Sequence, residues 1–241
     1  MARLQLSTES GCGLAIAGYP RFRYDARGGG GPAEEGEPLP RSSRQPAVQA
    51  PRQTSHQAPD HTTSQAPEPG TRQAVGQATV GGAGETRQDR ERLPGLDRDG
   101  GDWRPLRFAA DQLTIPTLNW RTTRLLGLPL PPGIAIAIVP ELLQGHWQPD
   151  SGAVELAFRA RFRFSLAGLY RAPDLLVATQ LSSGEVAGLR HRASGSPLDC
   201  EGRGVLVGVA RVAPSGDPLL DRFLGLPDEA LAVLRCRFSR S

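Results

Sequence analysis

The chain has 241 residues, with 29 Gly, 22 Pro and few aromatics. Its 28 basic residues are all Arg and stand against 25 acids, for a net charge of +3, too small a surplus to predict a specific nucleic-acid partner. The three cysteines, Cys12, Cys200 and Cys236, form neither a disulfide framework nor a CxxC pair, which predicts a reducing, cytoplasmic setting.

Lys is absent, and Asn119 and Met1 are the single residues of their types. That usage is expected of a GC-rich gene, so the Arg count alone is no sign of recognition chemistry. The short apolar run Leu14 to Ala17 lacks a basic flank, and there is no apolar stretch of 18 residues. Neither a secretory leader nor a spanning helix is predicted.

Residues 1–27 read as strands. "RLQLS" and "LAIAG" flank a turn at Glu9 to Gly13, and "YPRFRY" alternates Phe22 and Tyr24 with Arg21 and Arg23, the period of two that marks a strand. From Gly28 to Gly101 no Phe, Trp, Tyr, Ile or Met occurs. Such a segment cannot offset its ordering entropy and is expected to be a disordered insert. Within it Gln-Ala returns at 49, 57, 65 and 73, a period too short for a helical solenoid repeat.

After Trp103 the chain again reads as strands: "RPLRFA", "QLTI", "IAIAIV" (134–139), and a long one at 153–166. At ~3.3 Å per residue the last would reach about 40 Å and has to bend. "DLLVATQLS", "GVLVGVARVA" and "LAVLRCRFS" follow. A helical turn is expected at Thr122 or Thr123. Asp217-Pro218 predicts a short helix stopped by Gly225, and Asp228 before Glu229 a second. The fold class expected is mainly β: one antiparallel sandwich or partly open barrel, with one or two short helices, interrupted by the insert.

Two surface features carry candidate function. In "VELAFRARFRFSL", Arg159, Arg161 and Arg163 share one face, and Arg235 and Arg237 share another strand. Were these strands neighbours, five guanidinium groups would crowd together unless acids or an anion intervened. The face reads either as a solvated exterior or as an anion or partner surface. The second feature is "LLGLPLPPG", with Arg121 and Arg124 before Leu125, Leu126, Leu128 and Leu130. It suits a docking loop for a membrane interface or protein partner, or a strap across the end of the sheet.

Catalytic signatures are lacking: there is no P-loop, GxSxG, HExxH or dinucleotide fingerprint. Cys200 with His146 or His191 could form a nucleophile and base only if the fold brought them together. Adding Asp199 could make a metal set only on the same condition. No metal and no cofactor is predicted.

The phrases "IPTLNWRTTRLLGLPLPPG", "YRAPDLLVATQLSSGE" and "LVGVARV", with "YPRFRYDARGGGG", resemble a family of β-rich proteins of cyanobacteria and plastids for which no activity is established. The resemblance covers residues 1–30 and 102–241. It implies a soluble protein of a photosynthetic cell and favours work at a photosynthetic membrane, so the location expected is cytoplasmic, with a peripheral place at a thylakoid or plasma membrane as the variant. From the basic sheet face and the apolar Pro-rich loop, the function expected first is a non-enzymatic binding or assembly protein meeting a protein partner or an anionic membrane surface. The alternative is a barrel carrying a small apolar ligand, favoured if the interior proves unfilled. An enzyme without a recognisable motif is the third.

Overall fold

The computed structural model describes residues 3–38 and 102–240; most of the predicted insert, with its octad repeat, lies outside the described residues. Strands β1 (Arg3–Thr8), β2 (Cys12–Ile16) and β3 (Phe22–Tyr24) form where the alternation predicts them.

The strand β4 (Gly30–Glu35) overturns the expectation that the insert begins at Gly28. With Ala33 its one buried aliphatic, "GGPAEE" has no apolar period to read. It forms because β1 and β5 (Arg104–Phe108) claim its two edges. Its glycines permit close backbone approach: a Cβ on Gly30 would lie 2.0 Å from the Leu6 carbonyl oxygen.

After β5 comes a 3-10 turn at Ala110–Gln112, and then Thr114 bridges to Gly30. The helical turn expected at Thr122 or Thr123 is instead a tight turn. Asn119 Oδ1 accepts the backbone N–H groups of Arg121 and Thr122, at 2.8 and 3.2 Å, an Asx-type competitor of helix. The chain then enters a hairpin of β6 (Thr123–Leu125) and β7 (Leu128–Pro129). Both tip residues, Leu126 and Gly127, have positive φ, as a two-residue hairpin turn requires.

β8 (Ile134–Gln148) runs nine residues beyond the predicted "IAIAIV". Ile134, Ile136 and Ile138 face inward before a bulge at Glu141, whereas Leu143 and Trp147 do so after it. The extra residue reverses the alternation, and Pro140, lacking an N–H, stands where the ladder is interrupted. β9 (Ala153–Leu166) follows and turns its even positions inward as read, with Val154, Leu156, Ala160 and Phe164 buried and Phe158 and Phe162 partly so, up to Leu166, which is exposed at the strand end.

The remaining strands are β10 (Tyr170–Arg171), β11 (Leu175–Ser182), the small hairpin of β12 (Glu185–Ala187) and β13 (Arg192–Ser194), and β14 (Arg203–Val212). Helix α1 (Pro218–Leu224) has its predicted cap. Asp217 Oδ1 accepts from Leu219 N and Leu220 N, at 2.8 and 3.0 Å, and Gly225 closes the helix in the left-handed region. The second helix is replaced by β15 (Asp228–Arg240). Asp228 begins a strand because Ala230, Ala232, Leu234, Cys236 and Phe238 keep a period of two.

The sheet closes on itself. The order β1-β4-β5-β8-β9-β11-β14-β15 is antiparallel throughout, and β15 returns to β1. β15 is long enough to hold two partners along one edge: Cys236–Arg240 pair with β1, and Ala230–Val233 pair with β2, which leads on to β3, β6 and β7. The ring is joined most thinly between β11 and β14, which pair only at Ser182 and Val207, with Thr179 Oγ1 donating to the Val209 carbonyl beside that pair.

The ring has two unlike ends. At the hairpin end, where β8 turns into β9, Leu4, Leu106, Val154, Leu156, Leu206 and Phe238 make a tight core. At the helix end, where β8 begins and β9 finishes, α1 lies across the opening with Leu220 against Phe164 and Ala172.

A cavity beneath the helix end

Small residues leave room inside the ring. Gly208 and Ala210 on β14 stand directly across from Ala232 and Ala230 on β15. These are inward positions, since Leu206 and Val212 on the same parity are in the core. Gly208 admits β11 closely, since a Cβ there would lie 2.8 Å from the Gln180 carbonyl oxygen and from Thr179 Oγ1, whereas Ala230 and Ala232 give the wall little side-chain volume. The result is a cavity of about 470 Å³, within the ~300–1,000 Å³ range of small-molecule sites.

Leu14, Ile136, Phe158, Phe162 and Leu234 line it, and each of these inward side chains is only partly buried. The cavity reaches the helix end at Leu125, Leu130, Ile134, Leu220 and Phe223. Phe223 rests 6.0 Å from the Tyr19 ring and 6.1 Å from that of Phe164.

Most polar side chains along this wall are already engaged. Tyr24 OH donates to the Pro116 carbonyl, Tyr19 OH to that of Phe223, and Thr8 Oγ1 to that of Ala26. Thr179 Oγ1 donates to the Val209 carbonyl at 2.9 Å, and Cys12 Sγ to that of Glu9 at 3.3 Å. Burial pushes the Tyr24 phenol and the Cys12 thiol upward, so both stay neutral. Among the described residues lining the cavity there is no charged side chain.

The arginine stripe on β9 is arranged otherwise than its sequence suggests. Arg159, Arg161 and Arg163 are exposed on the outer face, and acids from neighbouring segments meet them. Glu141, the bulge residue, forms an ion pair with Arg159 at 3.0 Å and accepts a hydrogen bond from Arg161 Nε, while Asp174 accepts from Arg163 Nε at 3.2 Å. The five arginines do not share neighbouring strands, because β11 and β14 stand between β9 and β15. Arg235 and Arg237 are exposed on β15, and Arg237 Nε donates to the Glu201 carbonyl at 3.1 Å.

The Pro-rich loop divides between two environments. Leu130 is buried, and both Leu125 and Leu130 line the cavity, whereas Leu126 and Leu128 are 76% and 71% exposed. Arg124 is exposed, and the Arg121 guanidinium lies 4.9 Å from the Trp120 ring centroid, a cation–π distance.

The candidate nucleophile and bases are dispersed. His146 lies within β8 opposite Glu155, His191 in the β12–β13 turn, and Cys200 in the exposed turn before β14. Among the described residues no hydrogen bond joins Cys200 to either histidine, and no three His, Cys, Asp or Glu side chains gather as a metal set. Cys236 is a core residue whose thiol burial pushes up to about 12.

Sequence reading offers an unfilled interior only as the alternative and assigns no residue to its lining. The cavity's signal was the run of small residues at alternate positions in "GVARV" and "EALAVL", which means a void only once the register is known. No family model, no curated protein and no solved structure matches the chain. Among the described residues no helix is long and apolar enough to cross a membrane.

Proposed function

We propose that this protein is a carrier of a small, neutral, apolar ligand held inside the closed sheet. The observation that carries the reading is the cavity of about 470 Å³, walled by aliphatic and aromatic side chains whose few polar neighbours are internally bonded. Apolar pockets usually keep a few free polar groups to fix a ligand's orientation. Here a carboxylate or ammonium would lose its water and gain no partner, so a hydrocarbon-like molecule fits and a charged one does not.

The alternative of an assembly surface on the β9 arginines has less support, because Glu141 and Asp174 already take up those charges. A cytoplasmic carrier working beside a photosynthetic membrane agrees with the family resemblance and with three free cysteines.

The test is titration with diphenylhexatriene, a neutral fluorescent hydrocarbon, beside an anionic fatty-acid analogue. The hydrocarbon should saturate at one site and the charged probe should bind far more weakly. Ala232→Phe projects a ring from the cavity wall into the cavity and should abolish binding while preserving the fold. Equal binding by the wild type and the filled variant, with both folded, would sink the reading.

A further inference from the structure

We infer that the helix end of the ring is a docking surface for an anionic lipid bilayer, through which the carried ligand passes directly between lipid and cavity. The inference rests on the carrier reading and adds the partner. Four segments meet at this end. The Leu166–Leu169 turn is tied to the Pro131–Gly133 strap by the Ala167 N–H to Gly133 carbonyl bond, the β6–β7 hairpin leads into that strap, and α1 packs on Phe164.

Each segment turns an apolar side chain outward. Leu126, Leu128, Leu169 and Leu219 are 67% to 94% exposed, and Trp120 and Phe223 are each 48% exposed. Exposed leucines scattered singly are ordinary, but a group at one mouth marks an interaction surface. These lie around the opening of an apolar cavity, and Phe223 belongs to both the surface and the cavity wall.

The charge around them chooses the occupant. Arg23, Arg121, Arg124, Arg171 and Arg222 are exposed at this end, and among the described residues none forms an ion pair. Arg23 and Arg124 stand directly opposite each other on β3 and β6, an arrangement that is unfavourable without an intervening anion. The neighbouring acids are committed elsewhere. Asp174 holds Arg163, Asp228 holds Arg190, Asp217 caps α1, and Asp221 accepts from Ser215. Leucines amid uncompensated arginines, with a Trp beside an Arg, fit a headgroup and acyl boundary carrying negative charge.

The experiment is co-sedimentation of the full chain with vesicles of phosphatidylcholine alone or mixed with phosphatidylglycerol, at low and high salt. The wild type should pellet with the anionic vesicles and release as salt rises. Arg23→Gln/Arg121→Gln/Arg124→Gln should weaken this about a hundredfold, and Leu126→Ser/Leu128→Ser should also weaken it. Arg159→Gln/Arg161→Gln, further along β9 from this end and paired with Glu141, should bind as the wild type does. Circular dichroism confirms that each variant is folded.

Wild type that ignores anionic vesicles overturns the inference. So does binding lost in the β9 variant and kept in the other arginine variant. Sedimentation velocity showing a dimer dispersed by Leu126→Ser/Leu128→Ser would assign the surface to a second copy and overturn it too. Diphenylhexatriene binding run in parallel separates the two readings: uptake without vesicle binding removes the docking surface and leaves the carrier. Vesicle binding without uptake supports the surface and removes the carrier.

Discussion

The two ends of one ring of strands solve the same problem in opposite ways. At the hairpin end, large aliphatics at successive inward positions meet across the interior: Leu106, Val154, Leu156 and Leu206 show no solvent exposure at all. At the helix end the strands continue, but Ala210, Ala230 and Ala232 withdraw the filling, and Phe158, Phe162 and Leu234 face a void. The hydrogen-bonded frame of a closed sheet does not need a full interior along its whole length. Side-chain size alone decides whether a given layer is a core or a container.

That contrast predicts unequal costs for similar truncations. Leu156→Ala at the filled end removes a side chain packed on all sides and should cost about 3–5 kcal/mol. Leu14→Ala at the hollow end removes one that already borders empty space, and should cost about 1–2 kcal/mol. Urea unfolding of both variants measures the difference. Equal losses would mean that the hollow end is as well packed as the filled one.

Much of this architecture was legible in the chain. Alternation placed β9, and Asp217, Pro218 and Gly225 fixed α1 to the residue. What escaped did so for physical reasons. β4 has no apolar period, because its place is set by backbone pairing on both edges and by glycines where a Cβ would collide. The second half of β8 was hidden by the Glu141 bulge, which moves the inward set from even to odd numbers. The same bulge supplies the acid that meets Arg159 and Arg161, so the neutralisation of the stripe was hidden with it. The cavity depends on Ala210 facing Ala230 with Ala232 one turn of the pleat further on, and a register between strands cannot be seen along one strand.

A carboxylate fastening at the helix end gives the comparison a pH dependence. Glu229, at the start of β15, is 6% exposed and accepts the backbone N–H groups of Leu189, Arg190 and His191, at 2.7, 2.8 and 3.4 Å. Burial alone would raise its pKa, but these hydrogen bonds outweigh it and hold the carboxyl below its ordinary value. A pKa lowered by folding means stability present in full above the unfolded value near ~4.3 and lost as pH falls through the folded one. Glu229→Gln should therefore cost about 1–2 kcal/mol at neutral pH and should lose less than the wild type between pH 5 and the acid limit. Urea midpoints across that range, for both proteins, measure it. Parallel curves would mean that the carboxylate contributes nothing specific.

The smallest effect is expected on the outer face of β9, which runs past both ends. Arg159, Arg161 and Arg163 each keep about half of their side chain exposed, at 50%, 52% and 51%, and meet Glu141 and Asp174. Exposed pairs of this kind are worth only tenths of a kcal/mol each, because water screens them and ordering two long side chains opposes them. Exchanging all three arginines for Gln should therefore change stability by less than about 1 kcal/mol. Some of the loss will come from the aliphatic stems that lie along the sheet and not from charge. The two sources separate by salt: the charge contribution fades at high ionic strength, whereas the stem contribution stays. Thermal unfolding of wild type and triple variant at low and high salt reads both. A loss of several kcal/mol that persists at high salt would mean that the stripe is part of the packing that holds β8 against β9, and the outer face would then have to be counted with the core.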